Sequence, residues 1–151
     1  MKEKFLKKEF PRLLFTLDAS AKGRWGVMNA QQMVEHMSDY VRIASGKDKH
    51  ELSLTPEQSQ KAYSFMMTDK PFRENTPNHL LPETPPVWRN GSMRAAIEEL
   101  EKEMADFFSV YKNEPGLRVM NPFFGMLGYE EQLHLLHKHA THHARQFALI
   151  V

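Results

Sequence analysis

Hydrophobic residues recur at spacings of three and four along most of the chain, which is the period of a helix that buries one face. No segment shows the strict alternation of apolar and polar residues that indicates a strand. The pattern predicts four or five helical segments, four of them principal helices, within residues 2–17, 29–46, 55–67, 92–111 and from 129 almost to 151. The predicted fold class is therefore all-α, a four-helix bundle that forms a single domain over residues 1–151.

Capping residues mark the ends of several predicted helices. Asn29 followed by Gln32 forms a capping box at the start of the second segment, and Gly46 supplies its stop. Thr55, followed by proline and then by glutamine three positions on, opens the third segment. Pro11 is expected to split the first segment into two pieces, because an interior proline clashes with the preceding helical turn.

Five prolines fall within residues 69–91, a density that forbids regular secondary structure. A connection of this length is uncommon in a compact domain and often has a function. The sequence therefore predicts a long, ordered, proline-rich loop. Two placements stay open, since the loop could cover a functional site or simply wrap around the helices.

Composition and charge exclude several classes of protein. The formal net charge is +1 at pH 7, which lacks the basic footprint of a nucleic-acid-binding protein. The chain has no cysteine, so disulfides, thiolate nucleophiles and cysteine-type zinc sites are excluded. It also has neither an apolar run of about 18 residues nor the pattern of a signal peptide. We expect a cytoplasmic protein that binds neither nucleic acid nor membrane.

The strongest chemical signal lies in the last predicted helix, where five of the eight histidines fall within residues 134–143. His139 and His143 stand four residues apart and therefore face the same side of the helix. At about 100° per residue, His143 lies within the core-facing stripe and His139 at its edge. Two buried imidazoles need partners, and a shared metal ion supplies them. His142 is an alternative to either one, but its outward angle favours a supporting role.

The second predicted helix offers a third ligand, because His36 borders its apolar stripe. His36, His139 and His143 together provide three neutral nitrogen donors, which leaves a coordination position open for water or substrate. Zinc, nickel, iron and manganese all suit such a site, and the sequence does not choose among them. Four nearby polar side chains are candidates for orienting the ligands through hydrogen bonds, namely Gln32, Asp39, His142 and Gln146.

These residues also resemble those of the DinB/YfiT-like superfamily. The resemblance rests on the segment from Trp25 to His36, on Asn121-Pro-Phe-Phe-Gly125, and on His-Ala-Thr-His-His-Ala-Arg-Gln-Phe over residues 139–147. It covers about two of the four principal helices and a loop, whereas residues 47–110 add little. This chain has Asn121 where a histidine is expected before Pro-Phe-Phe-Gly.

The resemblance implies a four-helix bundle that holds a divalent metal ion with three histidines. One ligand comes from an early helix and two, four residues apart, come from a late helix. Carried over to this chain, the ligands are His36, His139 and His143. Some relatives are transferases or isomerases that use a low-molecular-weight thiol. The name of the superfamily refers to induction by DNA damage and implies no DNA chemistry.

The leading hypothesis is a metal-dependent transferase or hydrolase in which a thiol or a water attacks an electrophile at the open position. One alternative is a bundle that binds a metal or small ligand without catalysis. Another is a structural bundle whose histidines form a polar network. The partner is expected to be a low-molecular-weight thiol or another small molecule. A homodimer is a further expectation, since methionine-rich helices often hide an extra apolar face.

Overall fold

The computed structural model describes residues 1–74 and 86–151. This part of the chain is mostly helical, with one small antiparallel sheet. Its elements are α1 (residues 2–14), α2 (Ala30–Ala44), α3 (Pro56–Met66), α4 (Met93–Asn113), β1 (Val119–Asn121), β2 (Gly125–Leu127) and α5 (Tyr129–Gln146). None of the helices in these two ranges is both long enough and apolar enough to cross a membrane.

Side chains of α1, α2, α4 and α5 form the main hydrophobic core. In α2, Met33 and Met37 are fully buried at a spacing of four residues, as expected for the apolar stripe of an amphipathic helix. α3 contributes to a smaller cluster, in which its Met66 packs with Leu127 of β2 and Leu135 of α5. The packing brings α2 and α5 into contact, and the candidate site lies between them.

The predicted ends of α2 and α3 are confirmed. Asn29 Oδ1 accepts a hydrogen bond from the backbone of Gln32 at 3.0 Å, and Gln32 Oε1 accepts one from the backbone of Asn29 at 2.8 Å. At the other end of α2, Gly46 adopts φ 82° and its N–H bonds to Ile43 O, which closes the helix in a Schellman motif. Thr55 forms a second capping box at the start of α3.

The predicted break at Pro11 is wrong, since helical conformation continues to Leu14. The preceding turn, Phe5–Glu9, is π-helical, and Phe10 N–H bonds to the carbonyl of Phe5 five residues back. A π turn is wider than an α turn and relieves the clash between a proline ring and the carbonyl four residues earlier. The first helix therefore absorbs the proline, and it ends three residues short of the predicted boundary.

The last helix ends at Gln146, well before the predicted boundary near Val151. Ala148 adopts a left-handed conformation with φ 58°. The N–H of Ala148 bonds to Arg145 O and that of Leu149 bonds to Ala144 O, the two bonds of a Schellman motif. The sequence did not predict this helix end, because alanine occupies the left-handed position that glycine usually takes after a helix.

A β-hairpin lies between α4 and α5, where the hydrophobic pattern predicted no strand. Asn121 of β1 pairs with Gly125 of β2, and Asn121 Oδ1 accepts hydrogen bonds from the backbones of Phe123 and Phe124. Gly125 adopts φ 83°, a conformation that glycine reaches without strain. The strands are only three residues long, too short to show an alternating pattern. The Asn-Pro-Phe-Phe-Gly motif therefore builds a turn, and the fold is mostly helical rather than wholly α.

Part of the predicted proline-rich loop, residues 75–85, lies outside the described ranges. On one side of that gap, the Phe72 ring contacts the ring of His139. On the other side, Pro86 O accepts a hydrogen bond from Gln32 Nε2 at 3.0 Å. Both described ends of the loop therefore lie against the helices that carry the histidines.

The end of the loop before α4 is anchored by the buried carboxylate of Glu35 in α2. Glu35 accepts hydrogen bonds from the backbone of Arg89 at 3.0 Å and from the backbone of Asn90 at 2.9 Å. Burial raises the pKa of Glu35, but these hydrogen bonds outweigh it and hold the pKa below its ordinary value. The Arg89 guanidinium also pairs with Asp39 and Glu99. Residues 86–90 are therefore fixed to α2 beside His36.

Candidate metal centre

Three histidine side chains converge where α2 packs against α5. His36 Nε2 lies 3.0 Å from His139 Nε2, which in turn lies 2.9 Å from His143 Nε2. One nitrogen from each ring lies within 4.8 Å of the others, close enough to hold one metal ion. Nitrogens bound to a tetrahedral zinc ion would be about 3.3 Å apart, close to these separations. Within residues 1–74 and 86–151, no second group of this kind occurs.

The helical period explains why the rings meet. A spacing of four residues stacks His139 and His143 on one side of α5, with ring centroids 4.7 Å apart. The His36 ring approaches from α2, and its centroid lies 5.0 Å from each of the other two. His36 and His143 are buried, whereas His139 is partly exposed. His139 is therefore the least buried of the three residues.

Gln146 fixes the tautomer of His143. Its side-chain Nε2 donates to the Trp25 carbonyl at 3.0 Å, so its Oε1 is the atom that lies 2.7 Å from His143 Nδ1. An amide oxygen only accepts hydrogen bonds, so His143 Nδ1 must carry the proton. The lone pair of His143 therefore resides on Nε2, directed toward the other two histidines, as a metal ligand requires.

The loop formed by residues 23–26 packs closely around the Gln146 side chain. Arg24 N–H bonds to Gln146 O at 2.7 Å, which ties the loop to the end of α5. A Cβ atom at Gly23 would lie 2.9 Å from Gln146 Cγ. Gly26 adopts φ 79°, and a Cβ atom there would lie 2.8 Å from Gln146 Nε2. Two glycines are thus needed for this close approach.

The three rings do not form a complete hydrogen-bond network by themselves. His139 Nε2 takes part in both short contacts, yet this atom carries either one proton or one lone pair. It can therefore make one normal hydrogen bond and not two. The other contact leaves nitrogen atoms facing each other without a shared proton. A cation between the three nitrogens removes this conflict.

Burial keeps the three histidines uncharged. It lowers the pKa of His36 to about 4, with a further contribution from the charge of His142. Burial also holds the pKa values of His139 and His143 well below the ordinary value, and repulsion among the neighbouring imidazoles adds to this. Neutral imidazole is the form that binds metal ions. The cluster is therefore in its ligating state at neutral pH.

The four side chains predicted to orient the ligands have different surroundings. Gln146 bonds to His143 as described. The His142 ring packs 5.1 Å from the His143 ring. Gln32 instead serves the cap of α2 and bonds to Pro86 O, while Asp39 pairs with Arg89 at 2.9 Å. His36 Nδ1 is buried and has no hydrogen-bond partner among the described residues. The ring of His143 is therefore better fixed than that of His36.

Three aromatic side chains beside the histidines were not predicted as site residues. The Tyr40 ring lies 4.8 Å from that of His36, one helical turn further along α2. The Phe72 ring lies 6.5 Å from that of His139, and the Trp25 ring lies 5.5 Å from that of His142. The four-residue spacing from His36 is a signal that could have identified Tyr40. No sequence signal places Phe72, which is distant along the chain.

Comparison of the chain with protein-family models, with curated proteins and with solved structures finds no match.

Proposed function

We propose that the chain is a divalent-metal-dependent enzyme of the DinB/YfiT-like superfamily. His36, His139 and His143 would hold the ion, and a coordination position would stay open for a thiol, a water or a substrate. The reaction class would be transfer or hydrolysis. The alternative is a metal- or small-ligand-binding bundle without catalysis.

The observation that carries the proposal is the double contact of His139 Nε2 with the Nε2 atoms of His36 and His143, at 3.0 and 2.9 Å. A purely structural polar network would leave one of these contacts without a proton. Unsatisfied buried polar groups cost about 1–3 kcal/mol each, so such a network would destabilise the fold. A metal ion would satisfy all three nitrogens at once. The double contact of His139 therefore supports a metal-binding protein over a purely structural bundle.

The ligand set also suits reactivity. No carboxylate belongs to it, so the protein would contribute no negative charge to the ion. A divalent ion held there would polarise a substrate or lower the pKa of a water or thiol that binds beside it. Gln146 would keep the His143 ring in its ligating tautomer and orientation. The partial exposure of His139 supports access for a small molecule on that side.

The fold supports the same assignment. α1, α2, α4 and α5 share the main core, and we propose that these four helices form the four-helix bundle of the superfamily. α3 and the hairpin would then be additions packed on its outside. The ligand positions also agree with the superfamily arrangement, with His36 on an early helix and His139 and His143 on a late one.

The test is elemental analysis of protein purified without a metal-affinity tag. We expect about one equivalent of a divalent metal in the parent, by the one-site geometry. A His139→Ala/His143→Ala variant should hold none. His137→Ala is the matched control, because His137 lies on the same helix and packs against Phe5 away from the cluster. A parent that folds normally and takes up no metal would overturn the proposal. Metal uptake without activity in thiol-transfer and hydrolysis screens would favour the binding alternative.

A further inference from the structure

Four aromatic rings lie on or beside the histidine cluster, and each of these residues is only partly buried. They belong to Trp25, Tyr40, Phe72 and His142. The Tyr40 ring lies 5.0 Å from the His139 ring, and the Phe72 ring lies 6.2 Å from the His142 ring. Such separations are within the range in which aromatic rings attract one another. The candidate metal position is therefore bordered by aromatic side chains.

The Phe72 ring is supported from behind, and the backbone of Trp25 is held in place. Phe72 packs against Phe65, with centroids 6.3 Å apart, and Lys138 Nζ lies 5.1 Å from the Phe72 centroid. The backbone of Trp25 is held by the hydrogen bond between its carbonyl and Gln146 Nε2. Rings that are held in place yet partly exposed offer a preformed apolar wall, which lowers the entropic cost of binding a planar ligand.

The three candidate ligands also favour a negatively charged molecule at the metal. All three candidate ligands are neutral, so a divalent ion bound to them would keep its full positive charge and attract an anion. The geometry points to a small aromatic anion as the ligand of this site, with its anionic group at the metal and its ring packed against Phe72, Trp25 and His142. This inference rests on the proposed function, because it needs the metal.

The test uses cobalt(II)-loaded protein and two probes with the same donor atoms. Benzohydroxamate and acetohydroxamate differ only in carrying a phenyl or a methyl group, and the visible spectrum of the bound cobalt reports their binding. We expect the parent to prefer the phenyl compound. Phe72→Ala and Trp25→Ala should each reduce that preference by up to about tenfold, since one aromatic contact is worth up to about 1.5 kcal/mol.

Phe15→Ala is the matched control, because Phe15 is an exposed aromatic residue just after α1 and makes none of the ring contacts described above. Its phenyl preference should stay within twofold of the parent. Phe72→Leu removes the ring but keeps most of the side-chain volume. It therefore tests the ring even if Phe72→Ala fails to fold.

Two results would contradict the inference, and they differ in what they say about the metal site. Normal cobalt uptake with the same phenyl preference in the parent, Phe72→Ala, Phe72→Leu and Trp25→Ala would overturn the aromatic ligand alone. Failure of the folded parent to bind cobalt at all would overturn both this inference and the proposed function.

Discussion

The side-chain oxygen of Gln146 accepts a hydrogen bond from His143 Nδ1 at 2.7 Å, at the last residue of α5. This bond connects the C-terminal end of α5 to the histidine cluster. It sets which nitrogen of His143 carries the proton, and the loop around Trp25 sets the orientation of Gln146. The geometry of the candidate centre therefore depends on residues outside the three histidines.

Gln146→Leu should weaken metal binding by about 10- to 100-fold, the usual effect of removing a partner that orients a ligating histidine. The measurement is a competition titration against a chelator of known affinity. Gln132→Leu is the control, since Gln132 is also a buried glutamine of α5 but does not bond to the histidines. Equal affinities of the parent and Gln146→Leu would contradict the proposed role.

Glu103 should make stability depend on pH in the acid range. This buried carboxylate accepts hydrogen bonds from Lys47 at 2.6 Å and Arg42 at 2.9 Å. Burial raises the pKa of Glu103, but the two hydrogen bonds outweigh it and lower the pKa below its ordinary value. A lowered pKa means that the folded state favours the charged form. The stabilisation that Glu103 contributes is fully present above its ordinary pKa. It is lost as the pH falls through the lower pKa that Glu103 has in the folded protein.

Glu103→Gln should therefore lower the free energy of unfolding by about 2 kcal/mol at pH 7, the typical value of hydrogen bonds to a charged group. The difference from the parent should shrink as the pH falls below about 4.5. Urea denaturation at a series of pH values measures this. Glu98→Gln, which removes an exposed pair with Arg94, should change stability by less than about 0.5 kcal/mol. A pH-independent difference for Glu103→Gln would contradict the assignment.

Lys138 should stabilise the junction between α3 and α5. Its buried ammonium donates to the carbonyls of Phe65, Met66 and Thr68 at 3.0–3.2 Å, at the C-terminal end of α3. Lys138→Met keeps the length of the side chain but removes three hydrogen bonds from a charged donor, and should cost about 2–3 kcal/mol. Thermal denaturation measures the effect. Lys102→Met, at an exposed position of α4, should leave the melting temperature nearly unchanged. Similar melting temperatures for both variants would refute the anchoring role.

Ala148 should be a site where glycine stabilises the fold. Its φ of 58° lies in the left-handed region, which costs an alanine about 1 kcal/mol relative to glycine. Ala148→Gly should therefore raise the free energy of unfolding. The same change at Ala105, an exposed position inside α4, should lower it by about 1 kcal/mol, because glycine is a poor helix former. Denaturant unfolding of the two variants should give shifts of opposite sign, and shifts of the same sign would contradict this account.

Sequence reasoning identified the features that depend on local, periodic rules. The cap at Asn29 and the stop at Gly46 follow from side-chain and backbone preferences of single residues. The convergence of His139 and His143 follows from the helical period, and His36 could be added because it borders the facing stripe of α2. These predictions needed no knowledge of distant contacts.

The features that it missed depend on tertiary contacts or on unusual backbone geometry. The π turn that accommodates Pro11 and the left-handed Ala148 have no reliable residue signal. The hairpin at Asn121 is too short for a periodic pattern. Phe72 reaches His139 only because the loop folds back onto α5, and Lys138 is buried only because α3 ends above it. The three-dimensional arrangement was required to find them.

The most direct test of the central claim is X-ray absorption spectroscopy of the metal-loaded protein at the metal edge. The account predicts three imidazole nitrogens at about 2.0–2.1 Å if the metal is zinc, with one further light donor at the open position. In a His139→Ala variant that retains metal, one imidazole should be lost. A parent spectrum without three imidazole ligands, or one unchanged by the loss of His139, would contradict the three-histidine centre.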